Sequence, residues 1–242
     1  MQEQSLEGYR LSPQQRHLWL LQQEGYSSAY STVCLVRVTG PLNLASWESA
    51  VGSVVQRQEI LRTRFRLLPG MTTPLQVIGE TEQWRSEVED VSGQSEAEQE
   101  KSIEQAYAAA GRQEWQVGEG SLLHIKLLRL GAEQHAIVIS MPALCSDSVG
   151  VSNLVRQIAH AYDAQLSTDS EGEDPTQYII ASEWQNRLVE GAETAAGREF
   201  WNDPELGSAA AASKLRWTNS FPKSCRFKPQ RLRSEVSAET IL

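Results

Sequence analysis

Cys145, Ser146, Asp147 and Ser148 stand together in the run Met141-Pro142-Ala143-Leu144-Cys145-Ser146-Asp147-Ser148, which offers three candidate nucleophiles and a carboxylate. A serine or cysteine attacks an acyl group only once its proton has gone to a neighbouring base, ordinarily a His or Lys. No His or Lys lies within this loop. The place is nonetheless one where α/β proteins carry chemistry. His135-Ala136-Ile137-Val138-Ile139-Ser140 reads as a central strand, and Val149, Leu154, Val155, Ile158 and Tyr162 recur at helical spacing. At a junction of strand and helix, backbone N–H groups and short polar side chains converge. Cys145 is the most reactive of the candidates by type, but a small thiol beside a central strand is more commonly a buried hydrophobe. Ser146 and Ser148 fit better as caps of the following helix than as nucleophiles.

The elements that must hold this loop are legible from periodicity. Ser12 and Pro13 open a first helix carrying Leu18, Leu20 and Leu21. Thr32 to Val38 alternates, with Val33, Leu35 and Arg37 on one face and Thr32, Cys34, Val36 and Val38 on the other, and reads as a strand broken by Gly40-Pro41. Leu44, Trp47, Val51, Val54 and Val55 then form one stripe of a helix from about Asn43. Thr63 to Leu68 and Leu75 to Ile78 read as paired strands, and Ser92 to Glu100 opens a helix that continues through Ala110. Leu122 to Leu130 reads as a strand that turns at Gly131-Ala132-Glu133 into the strand before the loop, as an antiparallel hairpin. His124 and His135 lie on or beside this hairpin, where surface positions are expected, and His17 and His160 fall in helices without a role. Beyond the loop helix, Ser167 to Pro175 is an acidic linker, and a single long helix is predicted from about Gln177 to Trp201, with Trp184 and Trp201 as packing residues. A strand at Arg231 to Val236 and a helix start at Ser237 close the chain, which implies further structure beyond Leu242. The predicted organisation is therefore a lobe over 1–175, then a crossover helix and the start of a second lobe over 176–242.

Composition narrows the class. The chain has 242 residues, 40% hydrophobic and 22% charged, and 22 Lys+Arg against 31 Asp+Glu give a net charge of −9. An acidic surface repels phosphate backbones and anionic lipid, so neither nucleic acid nor a membrane surface is expected as a partner. The amino terminus is polar, and no apolar run approaches membrane-spanning length. Cys34, Cys145 and Cys225 are odd in number and widely spaced, fitting neither a disulfide framework nor a metal site; a reducing, cytoplasmic setting is the expectation.

Three stretches together resemble the condensation domains of nonribosomal peptide synthetases. Leu11-Ser12-Pro13-Gln14-Gln15-Arg16-His17-Leu18-Trp19 is similar to the family's first core motif. Arg57-Gln58-Glu59-Ile60-Leu61-Arg62-Thr63-Arg64-Phe65 is similar to its second, with Gln58 where a His is usual. The loop falls where the family keeps His-His-x-x-x-Asp-Gly; aligned on Asp147, the two His positions are Pro142 and Ala143, and the Gly position is Ser148. The related heterocyclisation signature, Asp-x-x-x-x-Asp-x-x-Ser, fits less well, because its first Asp falls on Pro142 and its Ser on Gly150.

The resemblance implies an α/β sandwich, a chloramphenicol-acetyltransferase-like lobe with a mixed sheet flanked by helices. It implies no bound cofactor; the substrates would hang on the phosphopantetheine arm of a peptidyl or aminoacyl carrier protein. In the family the second signature His assists attack of the acceptor amine on the donor thioester, and here that position is Ala143, whose methyl group takes no proton. The signature Asp pairs structurally with the Arg of the second motif, so the resemblance implies an ion pair between Asp147 and Arg62. Two functions are open. One is a non-catalytic module docking a carrier protein, an adjacent synthetase domain or a tailoring enzyme in trans. The other is amide-bond formation by positioning of the tethered substrates alone. A free-standing acyltransferase is a weaker third, since such enzymes rely on the same His.

Overall fold

The computed structural model describes residues 7–22, 30–80, 86–119, 121–166 and 175–206. The acidic segment over 167–174, the strand at 231–236, the helix start at Ser237 and Cys225 lie outside the described residues. In chain order the elements are β1 (Tyr9–Arg10), α1 (Pro13–Gln22), β2 (Ser31–Thr39), α2 (Leu44–Arg57), a 3₁₀ turn (Glu59–Arg62), β3 (Thr63–Arg66), β4 (Leu75–Ile78), β5 (Glu87–Asp90), α3 (Glu96–Ala110), β6 (His124–Arg129), β7 (Gln134–Pro142), α4 (Ser148–Leu166) and α5 (Tyr178–Glu190). They form a first compact unit, Met1–Ala192.

A four-stranded mixed sheet, in the order β2-β7-β6-β5, carries the core. The apolar run in β7 puts it at the centre, antiparallel to β2 and β6, because a strand buried on both faces cannot alternate. Ile137, Ile139 and Met141 point to one side, where they meet Ile125 and Leu127 and pack on Trp47, Val51 and Val54 of α2 and Val151, Leu154 and Ile158 of α4. Ala136 and Val138 point to the other side and pack with Leu128 on Ile103 and Ala110 of α3. The period-2 faces predicted for β2 agree, since Cys34, Val36 and Val38 join the first layer and Val33 the second. A smaller antiparallel sheet, β1-β4-β3, lies beside a third cluster of Leu11, Phe65, Leu122 and Leu144. The expected mixed sheet flanked by helices is what forms.

Local chemistry explains where the helices begin. Asn43 Oδ1 accepts from Ser46 N at 3.0 Å at the start of α2, and Ser95 and Glu98 form a reciprocal capping box on α3. At α1, Gln15 N donates to Ser12 Oγ at 3.1 Å and Ser12 N donates back to Gln15 Oε1 at 3.0 Å.

Several expectations need correction. The long helix from Gln177 to Trp201 is broken: α5 ends at Glu190, and Gly191 takes the extended values φ −64 and ψ 155. Glycine gains least from helical geometry, and here it stops the helix. Because α5 packs on β1, α1 and the 3₁₀ turn, it belongs to the first compact unit, whose edge at Ala192 lies beyond the boundary placed at 175. The second unit, Glu193–Leu242, is described as far as residue 206 and contains α6 (Ala195–Trp201), where the Phe200 and Trp201 rings meet edge to face at 5.2 Å. Trp184 and Trp201, expected to pack in the core or between lobes, are 62% and 78% exposed and so lie outside the core. The edge strand β5 went unread because Glu87-Val88-Glu89-Asp90 has no apolar face; Lys126 holds it by ion pairs of 2.8 Å to Glu87 and to Glu89.

Candidate functional site

The loop predicted to carry the chemistry begins where β7 runs out. Pro142 sits opposite Ser31 in the ladder, and Ala143 N extends the pairing by donating to Tyr30 O at 2.7 Å. The chain then turns sharply, with Cys145 N donating to Pro142 O at 2.9 Å. Leu144 is buried in the third cluster and anchors the turn. Thr32 Oγ1 donates to Ser146 O at 2.8 Å, tying the far side of the turn back to β2. Ala143 and Pro142 therefore have fixed backbones, but neither side chain can take or give a proton.

Asp147 takes the capping role expected of Ser146 and Ser148. Its Oδ1 accepts from Gly150 N at 2.7 Å, and its carbonyl accepts the first helical bond from Val151 N at 3.0 Å. Ser148 is the exposed first residue of α4, and Ser146 Oγ donates to Asp147 O at 3.1 Å.

The expected ion pair between Arg62 and Asp147 does not form. Arg62 closes the 3₁₀ turn, where its Nη1 donates to Gly79 O at 2.8 Å and its Nη2 lies 3.8 Å from Glu59 Oε1. Its Nε is buried without a partner, as is Glu59 Oε2. The reason is local competition. Arg62 finds a carbonyl and a carboxylate within its own turn and the adjoining strand end, while Asp147 is held at the surface by the N–H groups opening α4.

Cys145 is half-buried, and burial pushes its thiol well above the usual cysteine range. A thiol that stays protonated at neutral pH is a poor nucleophile. The histidines do not supply the missing base. His124 Nε2 lies 3.4 Å from Glu87 Oε2 at the β5 edge, and His17 and His160 are exposed on α1 and α4. His135 was expected at a surface or turn, yet it is buried at the opposite end of β7 from the loop. Its Nδ1 has no partner, and burial first, then the Arg129 charge, hold its pKa below the ordinary histidine value.

Beside the loop opens a pocket of about 430 Å³, a volume in the range of small-molecule sites. Cys145 and Ser146 form one side of it, with Leu61, Met141 and Leu154 as apolar lining and Gln58, Gln157 and Gln177 as amide lining. Gln58 Nε2 donates to Gln157 Oε1 at 2.9 Å, linking the end of α2 to α4. Gln177 Oε1 accepts from Glu59 N at 3.0 Å while its Nε2 donates to Arg57 O at 2.9 Å. The sequence singles out Gln58 only as a departure from a motif and not the other two, because an isolated glutamine within a helix or at its start carries no pattern. Among the described residues no cluster of His, Cys, Asp and Glu could hold a metal ion, and no helix is long and apolar enough to cross a membrane.

The family model for the condensation domain matches residues 5–241. Tyrocidine synthase 3 of Brevibacillus parabrevis is 28% identical over 195 residues, which are 80% of this chain and 3% of that protein. Bacitracin synthase 3 of Bacillus licheniformis is 28% identical over 197 residues, 81% of this chain and 3% of that protein. The starter condensation domain of rhizomide synthetase RzmA superposes with a TM-score of 0.72 at 22% identity, over 86% of this chain and 49% of that one. The X-domain solved in complex with OxyB from teicoplanin biosynthesis gives 0.65 at 23% identity, over 77% of this chain and 40% of that one. The chain thus spans about half the length of the solved condensation domain and a few per cent of the curated synthetases.

Proposed function

Because this chain belongs to the condensation-domain family of nonribosomal peptide synthetases, we propose that it works as a docking module and not as the catalyst of amide-bond formation. Its partners would be a carrier protein bearing a phosphopantetheine-tethered chain, a neighbouring synthetase domain or a tailoring enzyme. The observation that carries this reading is that Pro142 and Ala143 stand where the family signature has its two His, while His17, His124, His135 and His160 all lie elsewhere. A positioned base contributes roughly 10²–10⁴ in rate, and among the described residues none of the four histidines stands at the signature positions. The raised thiol pKa of half-buried Cys145 and the capping duty of Asp147 support the same reading, since neither side chain is poised to attack or to take a proton. The fold neighbour solved with OxyB is a precedent for a protein of this architecture that receives another protein.

A second reading, acyl transfer by positioning alone, has the pocket beside the loop in its favour. Orienting two reactants can lower a barrier by about 7–11 kcal/mol without a base, and a thioester is already activated. Calorimetric titration of the protein with a loaded carrier protein, with the adjacent domain and with the tailoring enzyme tests the docking reading. Saturable binding of at least one is expected; three titrations without binding would overturn it.

A further inference from the structure

The loop is held from beneath by a buried polar network that the function above does not use. Ser12, Gln15, Gln76 and Ser182 are each 2% exposed or less, and they come from the start of α1, from β4 and from α5. Gln15 is the hub. Its Nε2 donates to Leu144 O at 3.0 Å and to Gln76 Oε1 at 3.1 Å, and its Oε1 accepts from Ser12 N at 3.0 Å. Gln76 Nε2 in turn donates to Arg10 O at 2.8 Å and to Ser182 Oγ at 3.4 Å, and Ser182 Oγ donates to Arg10 O at 2.9 Å. Ser12 Oγ and Tyr178 OH lie 2.8 Å apart, and Asn186 Nδ2 donates to Leu11 O at 2.9 Å. None of the atoms of Ser12, Gln15, Gln76 or Ser182 is among the buried orphans.

A carboxamide is suited to this place because it donates twice and accepts at once, which no apolar or carboxylate side chain does. Apolar packing would hold Leu144 equally well from below, but it would not fix the direction of the Leu144 carbonyl. We propose that Gln15 is a positioning residue that latches the loop to α5, so that the two keep one fixed arrangement. The connection has a physical route: Tyr178 and Ser182 on α5, then Ser12 and Gln76, then Gln15, then the Leu144 carbonyl. A buried network that is fully satisfied is rigid; loss of Gln15 unpairs Leu144 O, Gln76 Oε1 and Ser12 N together, and loss of Tyr178 OH or Ser182 Oγ removes one tie to α5. Displacement of α5 therefore loosens the turn that presents Ala143 and Cys145. The latch is independent of whether the loop catalyses anything.

Cys145, the next residue after Leu144, reports the loop directly, because it is half-buried against the cluster that anchors Leu144. Cys34 in β2 is the internal control, half-buried against the main core cluster and making none of the network's hydrogen bonds. The rate at which a thiol reagent modifies each cysteine is followed by peptide mapping in the wild-type protein and in Gln15→Leu, Ser182→Ala and Tyr178→Phe. In Ser182→Ala and Tyr178→Phe, substitutions on α5, the Cys145 rate should rise about tenfold, the scale of one buried hydrogen bond, with Cys34 within twofold. Gln15→Leu should raise Cys145 at least as far. If Gln15→Leu fails to fold, both cysteines react together in that variant, and the two α5 variants decide. An unchanged Cys145 in both α5 variants, or a parallel rise at Cys34, would overturn the latch.

Discussion

At the scale of single residues, the loop is explained by what each side chain is already committed to. Asp147 satisfies an N–H at the start of α4, and Arg62 satisfies a carbonyl at the end of β4, so each is a local fastener. Asp147→Ala should cost about 1 kcal/mol in urea-induced unfolding, the usual loss for an N-cap. A loss of about 3–5 kcal/mol would instead indicate that Asp147 and Arg62 are paired in solution. His135 supplies a pH test with a definite sign. Its proton affinity is lowered in the folded protein, so the unfolded chain takes the proton first as pH falls below about 6.5. Stability should therefore decline through that range until the folded-state pKa is passed, and His135→Gln should flatten the decline. An unaltered pH dependence in the variant would show that other groups are responsible.

At the scale of elements, what was legible was what periodicity writes. The apolar run of β7, the alternation in β2 and the stripe on α2 each record burial, and burial is the same force that placed them at the centre of the sheet. What was illegible obeys other rules. β5 is held by Lys126 across the ladder, and ion pairs between strands leave no periodic trace in either strand. The break at Gly191 was hidden by apolar residues on both sides of it, and the cap on α4 fell to Asp147 because the helix starts at Ser148, which puts Asp147 at the N-cap position. The loop was readable as a site from Pro142 to Ser148, but not the amides of Gln157 and Gln177 or the hub at Gln15, which act through long-range contacts. The layered core makes its own prediction. Ile139→Ala, which empties a position 1% exposed between the sheet and its helices, should cost about 2–5 kcal/mol. Val88→Ala on the exposed edge strand should cost less than about 1 kcal/mol. Equal losses in chemical denaturation would contradict the assignment of the core to this sheet face.

At the scale of the whole molecule, the chain belongs to the condensation-domain family, and in the proposed reading the residues that define the family's chemistry are replaced. Packing, capping and sheet order do not require a His at position 142 or 143, so the scaffold and the reaction are separable. The two proposed functions part at one observable, the amide product. The direct measurement is a single-turnover assay in which the protein is mixed with one carrier protein loaded with a donor acyl thioester and another loaded with an acceptor aminoacyl thioester, with the tethered amide followed by mass spectrometry. The docking account predicts amide formation at the rate seen without the protein, under conditions where a carrier is bound. Amide formation well above that rate, lost when a bulky residue is introduced beside the loop at Ala143, would contradict it and establish catalysis by positioning.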